Sequence, residues 1–508
     1  MRCLFRGVFV LLLIAGLGLL VLLGFYAEEN IRGEHEWAAA QQNLRNAGES
    51  YDFNDLIPPS VPDSQNLAAI PLFKMEIESK KGNLRQAVAL KEALSNIAPS
   101  STSWPKTGNW PKAGQTDMAP IRKYLSDRYR EVFGYSDPNL GPMEEFNALC
   151  PAINQLREAA MTRKLVRFDR DYTTQPPYDR TFASIAELIY LAKVLNLHAV
   201  VALSERKPDV ALNDIGLTLE ISKGLAREPV LISGLVSIAM VAIQMSSIWE
   251  GLDGHAWSAQ QLDELQGQLQ AMDCISEFQL CVRGEAIGFF AQTNDWMRDH
   301  RRSASQVLWG PVIQLITGAD DNSLEPTSRV SYGAKLVGWL VPRGWFDMSK
   351  ARGVSLYYQV ARETANPKAH SFDKEKLDRF KQKIQSLGWY DLPDLLLRIS
   401  APPEVNSMSQ FAKGQFRADA ASIACGLESY RLTKGIYPSS LSELPNSQTL
   451  PLDAIGGEPY HYKLVSDKNY ILYSVGWDRK DDGGIIVHRP GFPESIDWDH
   501  GDWVWPTP

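Results

Sequence analysis

Five cysteines in 508 residues are too few for the disulfide framework that holds small secreted domains together. Basic residues are also scarce: 52 Lys and Arg stand against 60 Asp and Glu, a net charge of −8, so no cationic field is present to hold a phosphate backbone. Nucleic acid is therefore excluded as an expected partner. The chain lacks the glycine-rich Lys-Ser/Thr loop that cradles phosphate, the His-Glu-x-x-His helix that holds zinc, and the Gly-x-Ser-x-Gly elbow that exposes a nucleophile. Glu34, His35 and Glu36 have no second histidine at zinc-ligand spacing. His198, His255 and His370 have no sequence neighbour at ligand or triad spacing, so each is expected to be structural. A hydrolase assembled from dispersed residues would leave no such signature. Cys274 and Cys281 would share a helical face but stand roughly 10 Å apart along it, too far for a disulfide, so buried thiols are expected.

What is present begins with a charge-free apolar run at residues 7–26, long enough to cross about 30 Å of hydrocarbon. This is a membrane span or a signal peptide. Cleavage after Ala27 would put Phe25 where a small residue is needed, which favours an uncleaved anchor. Arg2 and Arg6 precede the run and Glu28, Glu29 and Glu34 follow it, so the N-terminus is expected in the cytoplasm and the bulk outside. The expected location is the cytoplasmic (inner) membrane, single-pass, with the lipid bilayer a partner through residues 7–26. A type IV pilin would carry Phe after its processing glycine and an acidic residue four positions on; here Gly7 is followed by Val8, and Leu12 holds the acidic position.

Residues 28–118 read as a short helix and then an extended linker or strap, because Pro58, Pro59 and Pro62 stop regular structure. Trp104 and Trp110, each before a proline, are expected to pin that strap to the body. Residues 119–400 read as a helical domain. Ile185, Ile189 and Val201 recur at helical spacing up to Ser204, and Pro208 with Asp209 opens a second helix running to Lys223, an αα-hairpin. Residues 229–249 are apolar enough to span a membrane. Ser233, Ser237, Gln244, Ser246 and Ser247 favour a buried central helix instead; a span there would return the remainder to the cytoplasm. Further helices are expected over 258–272, opened by a Ser258 cap, and over 276–296, 353–364 and 373–387, with an irregular stretch over 300–330.

Residues 401–508 change character. A helix over 416–432 leads through Gly435, Tyr437 and Pro438 to a helical turn at 440–444, then to strands over 460–465 and 470–475 joined by a polar hairpin loop. A loop with Asp478, Asp481 and Asp482 among glycines follows. This region carries 9 basic and 14 acidic side chains, most of the chain's negative excess. Carboxylates with flexible glycines suit a hard cation such as Ca²⁺, and equally suit a plain Asp/Gly turn. Asp497, Asp499 and Asp502 would add carboxylates if the tail folds back, with Trp498, Trp503 and Trp505 as its anchors.

The order of these pieces resembles the globular domain of the major pseudopilin of type II secretion systems. It rests on Gly435, Tyr437 and Pro438, on Pro451 and Asp453, on Gly457, Pro459, Tyr460 and Tyr462, and on Tyr473, Ser474, Val475, Gly476 and Asp478. The whole chain is similar to bacterial membrane-anchored proteins that carry this domain behind a helical region. The resemblance implies a calcium loop, with Asp478 as a ligand and Asp481 or Asp482 as the second carboxylate. The expected fold is α+β and mostly α: a transmembrane anchor over 1–27, the segment 28–118, a large helical-hairpin domain over 119–400, and a small pseudopilin-like domain with an antiparallel sheet over 401–508. The expected function is a non-enzymatic, envelope-facing interaction or scaffold protein whose partner is another envelope protein. The alternative is an envelope hydrolase with its site in a cleft of the helical region.

Overall fold

The computed structural model describes residues 2–80, 83–97, 105, 115–175, 177, 180, 185–300, 341–388 and 391–506. Trp104, Trp110 and the 300–330 stretch beyond His300 lie outside them. The chain is mostly helical, with a small antiparallel sheet region at its C-terminal end. It opens with α1 (Arg2–Asn46), a helix of 45 residues that carries the apolar run and continues past it without a break. Short helices α2 (Ala89–Leu94), α3 (Met118–Phe133), α4 (Pro142–Leu149) and α5 (Ala152–Thr162) surround the body, with a hairpin of β1 (Met75–Lys80) and β2 (Asn83–Val88) preceding α2.

The expected αα-hairpin forms as α6 (Ile185–Ser204) and α7 (Pro208–Ala226), with Pro208 in the first turn, where a missing N–H costs nothing. Next come α8 (Leu231–Asp253) and α9 (Ala259–Gln270). Ser258 caps α9 in a reciprocal box: its hydroxyl accepts from the Gln261 amide while the Gln261 side chain accepts from the Ser258 amide. α10 (Cys274–Gly284) runs through one π-helical stretch (Glu285–Ala291) into α11 (Gln292–Asp299). Its cap is Asp273, three residues before the expected start, accepting from the Ser276 amide. α12 (Arg343–Thr364), α13 (Lys374–Ser386) and the 43-residue α14 (Leu392–Lys434) complete the helices.

Three helices are long and apolar enough to cross a bilayer. The apolar window of α1 is 0% buried inside the protein, whereas those of α6 and α8 are each 67% buried. The polar side chains of α8 show why. Gln244 donates to the Ala192 carbonyl at 2.9 Å and Ser246 donates to the Asn196 Oδ1 at 2.9 Å, so α6 and α8 satisfy each other's polar groups within one core.

Two expected boundaries do not hold. Residues 28–118 are not a linker: Phe53, Leu67, Leu90, Leu94 and Ile97 all belong to the main hydrophobic core. Their irregular spacing, spread over short 3₁₀ turns and a six-residue helix, leaves no period to detect. The division between residues 400 and 401 falls inside α14, which runs through Pro402 and Pro403. The C-terminal module shares the same core through Tyr460, Leu472, Trp503 and Trp505. Its two expected strands form as β5 (His461–Ser466) and β6 (Asn469–Ser474), after the two-residue strands β3 (Ala365–Asn366) and β4 (Ser371–Phe372). β7 (Ile486–Arg489) pairs with β8 (Phe492–Gly501), and β9 (Trp503–Trp505) returns to pair antiparallel with β6. The tail thus folds back, anchored as expected: Trp503 and Trp505 are buried, and Trp503 stacks on Trp477 at 6.1 Å.

Candidate functional site

The acidic loop lies between β6 and β7, held by the returning tail. Asp478 accepts from the Lys480 amide at 3.1 Å and from the Gly501 amide at 3.3 Å. Asp481 accepts from the Tyr473 hydroxyl and the Gly483 amide, each at 3.0 Å, and these bonds, the Gly483 one foremost, hold its carboxyl below the usual range. Its other oxygen stands 3.5 Å from the His461 Nδ1. Asp482 contributes its backbone, donating to Asp502 at 3.1 Å.

Asp502 is the centre of this loop. One carboxylate oxygen collects three backbone amides, from Gly484 at 2.7 Å, Asp482 at 3.1 Å and Ile485 at 3.3 Å. The residue is buried, and its other oxygen, Oδ1, is buried with no hydrogen-bond partner. Burial raises the Asp502 carboxyl above its ordinary value against the pull of those amides. Asp497 turns instead to His500 at 2.9 Å. Among the described residues, no three His, Cys, Asp or Glu side chains converge tightly enough to hold a metal ion. The expected ligands Asp478, Asp481 and Asp482 are therefore neighbours in one loop, turned onto its own backbone.

Each single histidine finds a carboxylate, a pairing that sequence spacing did not disclose. His198 is fully buried, its Nδ1 2.7 Å from Asp214, which also binds Arg157. His255 stands 2.9 Å from Glu428, a buried carboxylate that also accepts from Tyr437 and Arg431. His370 stands 2.9 Å from Asp419, which accepts from Tyr460 and Gln415 as well. Burial pushes the His370 imidazole down, but its bond to Asp419 and the charge there outweigh that and leave it raised. The last two pairs join the helical body to the C-terminal module. Cys150, Cys274, Cys281 and Cys425 are free and buried, in agreement with the expectation for Cys274 and Cys281.

Of the cavities, a groove of about 740 Å³ lies among Trp37, Tyr51, Arg167, Asp171, Tyr172 and Asp295. Its carboxylates are already engaged: Asp171 accepts from Thr173 at 2.7 Å and Asp295 accepts from Lys350 at 2.6 Å. A second groove of about 610 Å³ lies between α5 and α7, with Arg157, Arg163 and Lys164 facing Glu158, Glu220 and Glu264.

The tightest helix crossing joins α1 to α12. Added as a side chain, a Cβ at Gly33 would stand 2.2 Å from the Gly344 carbonyl oxygen, so only glycine permits this approach. The Gly344 amide donates to the Asn30 side chain at 2.9 Å, and the Trp345 indole N–H donates to Glu29 at 2.6 Å. Compared with protein-family models, curated proteins and solved structures, the chain matches none.

Proposed function

We propose that this chain is a membrane-anchored interaction or scaffold protein of the cytoplasmic membrane, facing the envelope, with one span through residues 7–26 and its N-terminus in the cytoplasm. The observation that carries this reading is α1 itself. Its apolar half is fully exposed and its polar half is docked on α12, so one uninterrupted helix joins a membrane segment to the body. The charge order, Arg2 and Arg6 before the run and Glu28 and Glu29 after it, supports the outward orientation. Against the hydrolase alternative stand the grooves, whose carboxylates are neutralised by hydroxyls and cations, and His198, whose pair with Asp214 is sealed in the core. The partner is another envelope protein, met by the pseudopilin-like module, whose helix, turn and paired strands follow the pseudopilin order. Reporter fusions after Gly254 and after Trp505 test the topology. Periplasmic activity at both sites is expected; cytoplasmic activity at either overturns the single span.

A second reading concerns calcium, and the orphaned Asp502 Oδ1 favours it. We propose that Ca²⁺ binds weakly at the 478–484 loop, drawing Asp478, Asp481 and Asp482 toward Asp502. Affinity in the range of extracellular modules, about 10⁻⁴ to 10⁻³ M, is expected. At ten times the dissociation constant the gain is about 1.4 kcal/mol. Melting of the full chain in calcium against EDTA, for wild type and Asp478→Ala, is the measurement. Equal melting in all four samples would leave an Asp/Gly turn.

A further inference from the structure

We infer that the body itself rests on the bilayer, with Arg343 and Trp345 of α12 and Trp296 and His300 at the end of α11 seated in the lipid headgroup layer. This rests on the reading of residues 7–26 as the span. The helix pair sets the height. α1 and α12 run parallel, Asn30 meeting Gly344, Glu36 meeting Arg352 at 3.4 Å, and Ser50 meeting Tyr358 at 2.5 Å, so the start of α12 faces the membrane. α11 runs the other way beside it: Lys350 binds Asp295 at 2.6 Å, Arg298 binds Asp347 at 2.9 Å, and Arg343 lies 3.6 Å from Asp299. The end of α11 therefore reaches the same level.

Asn30 lies four residues beyond the apolar run, a rise of about 6 Å, and the headgroup layer of one leaflet is roughly 5–7 Å thick. The Trp345 ring goes further and meets Phe25, inside the run, edge to face at 6.3 Å. A body residue thus stands at the boundary of the hydrocarbon. The chemistry fits the place. Indole rings with a polar N–H are the side chains that settle at membrane interfaces, and here the N–H is held by Glu29. Arg343 is exposed on a long stem that reaches phosphate oxygens, and His300 is exposed and stacked on Trp296 at 5.0 Å. A protein partner does not fit here, because a gap of about 6 Å is narrower than one helix, about 10 Å across.

Nitroxide depth measurement on the full chain, in vesicles of phosphatidylethanolamine and phosphatidylglycerol, tests the inference. Labels go on Leu17→Cys, Arg343→Cys, His300→Cys and Ile436→Cys, each with Cys3→Ser; the other four cysteines are buried and stay unlabelled. Ile436 lies just past the far end of α14, about 57 Å along that helix from Leu396, which packs into the cluster of Met297, Val341 and Phe346 at the membrane end. The ratio of oxygen to water-soluble nickel collisions is expected to be several-fold higher at 343 and 300 than at 436, and highest at 17. Ratios at 343 and 300 equal to that at 436, with 17 buried in lipid, would overturn the inference and leave the anchor standing. An aqueous ratio at 17 would overturn both.

Discussion

Replacing Gly33 by alanine separates two effects of opposite sign. In an exposed helix interior the change is favourable, worth up to about 1 kcal/mol, because glycine loses more backbone entropy on folding. In this fold the added methyl would meet the Gly344 carbonyl oxygen at 2.2 Å and its Cα at 2.5 Å. Both obstacles are backbone, so no rotamer change relieves them, and α1 must move off α12. Overpacking of this kind costs roughly 1–3 kcal/mol. The separation also weakens the Glu29 to Trp345 and Asn30 to Gly344 hydrogen bonds, each worth about 1 kcal/mol. A net loss of about 2 kcal/mol is expected. Gly267 in α9 supplies the control: nothing lies within 4 Å of its added Cβ, so Gly267→Ala is expected to stabilise. Denaturant midpoints of the full chain in detergent, together with protease cleavage between residues 28 and 46, measure both. If Gly33→Ala gains stability as Gly267→Ala does, the docking of the anchor helix on the body is refuted.

Three further outcomes follow from buried charge. His370 has a folded pKa above its ordinary 6.5, so its bond to Asp419 contributes fully below that pH and is lost as pH rises through the folded value. Stability is expected to fall between about pH 6 and pH 9, and His370→Asn, which tolerates the positive φ there, is expected to flatten the slope in pH-dependent melting. Glu285 accepts from the Leu231 amide at 2.8 Å, and burial lifts its carboxyl to about 7 from 4.5. Holding it charged costs stability as pH rises through that window, so Glu285→Gln is expected to gain about 1–3 kcal/mol near pH 8 and nothing near pH 4; equal gains at both would sink the assignment. Asp214→Asn leaves Arg157 without its buried counter-charge, and a loss of about 3 kcal/mol in denaturant melting is expected; a loss below about 1 kcal/mol would contradict the buried pair.

The elements legible in the sequence are those whose signals lie within a few residues of each other. Ser258 and Gln261 are three positions apart, Pro208 stands in the turn it starts, and the loop joining β5 to β6 is bounded by the strands it pairs. The apolar run of residues 7–26 is legible for the same reason. The boundaries that moved depend on distant partners. Phe53 packs against Gly288 of the π-helical stretch, and the first residues of the C-terminal module are the middle of a helix whose packing partners lie in the body. Neither fact leaves a local period.

The candidate sites are non-local throughout, and this is where spacing arguments lose their reach. His198 meets Asp214 across 16 residues, His370 meets Asp419 across 49, and His255 meets Glu428 across 173. Asp502 closes the acidic loop from 18 residues beyond Gly484, a closure that depends on β9 returning to β6. Gly33 is the sharpest case. Within its own helix it reads as a defect, since alanine would serve better there. Only the approach of Gly344, in a helix that begins some three hundred residues later, turns that defect into a requirement. A glycine that is costly to its own helix and indispensable to a distant crossing ties the membrane segment to the body, and so bears on function more directly than any motif the chain contains.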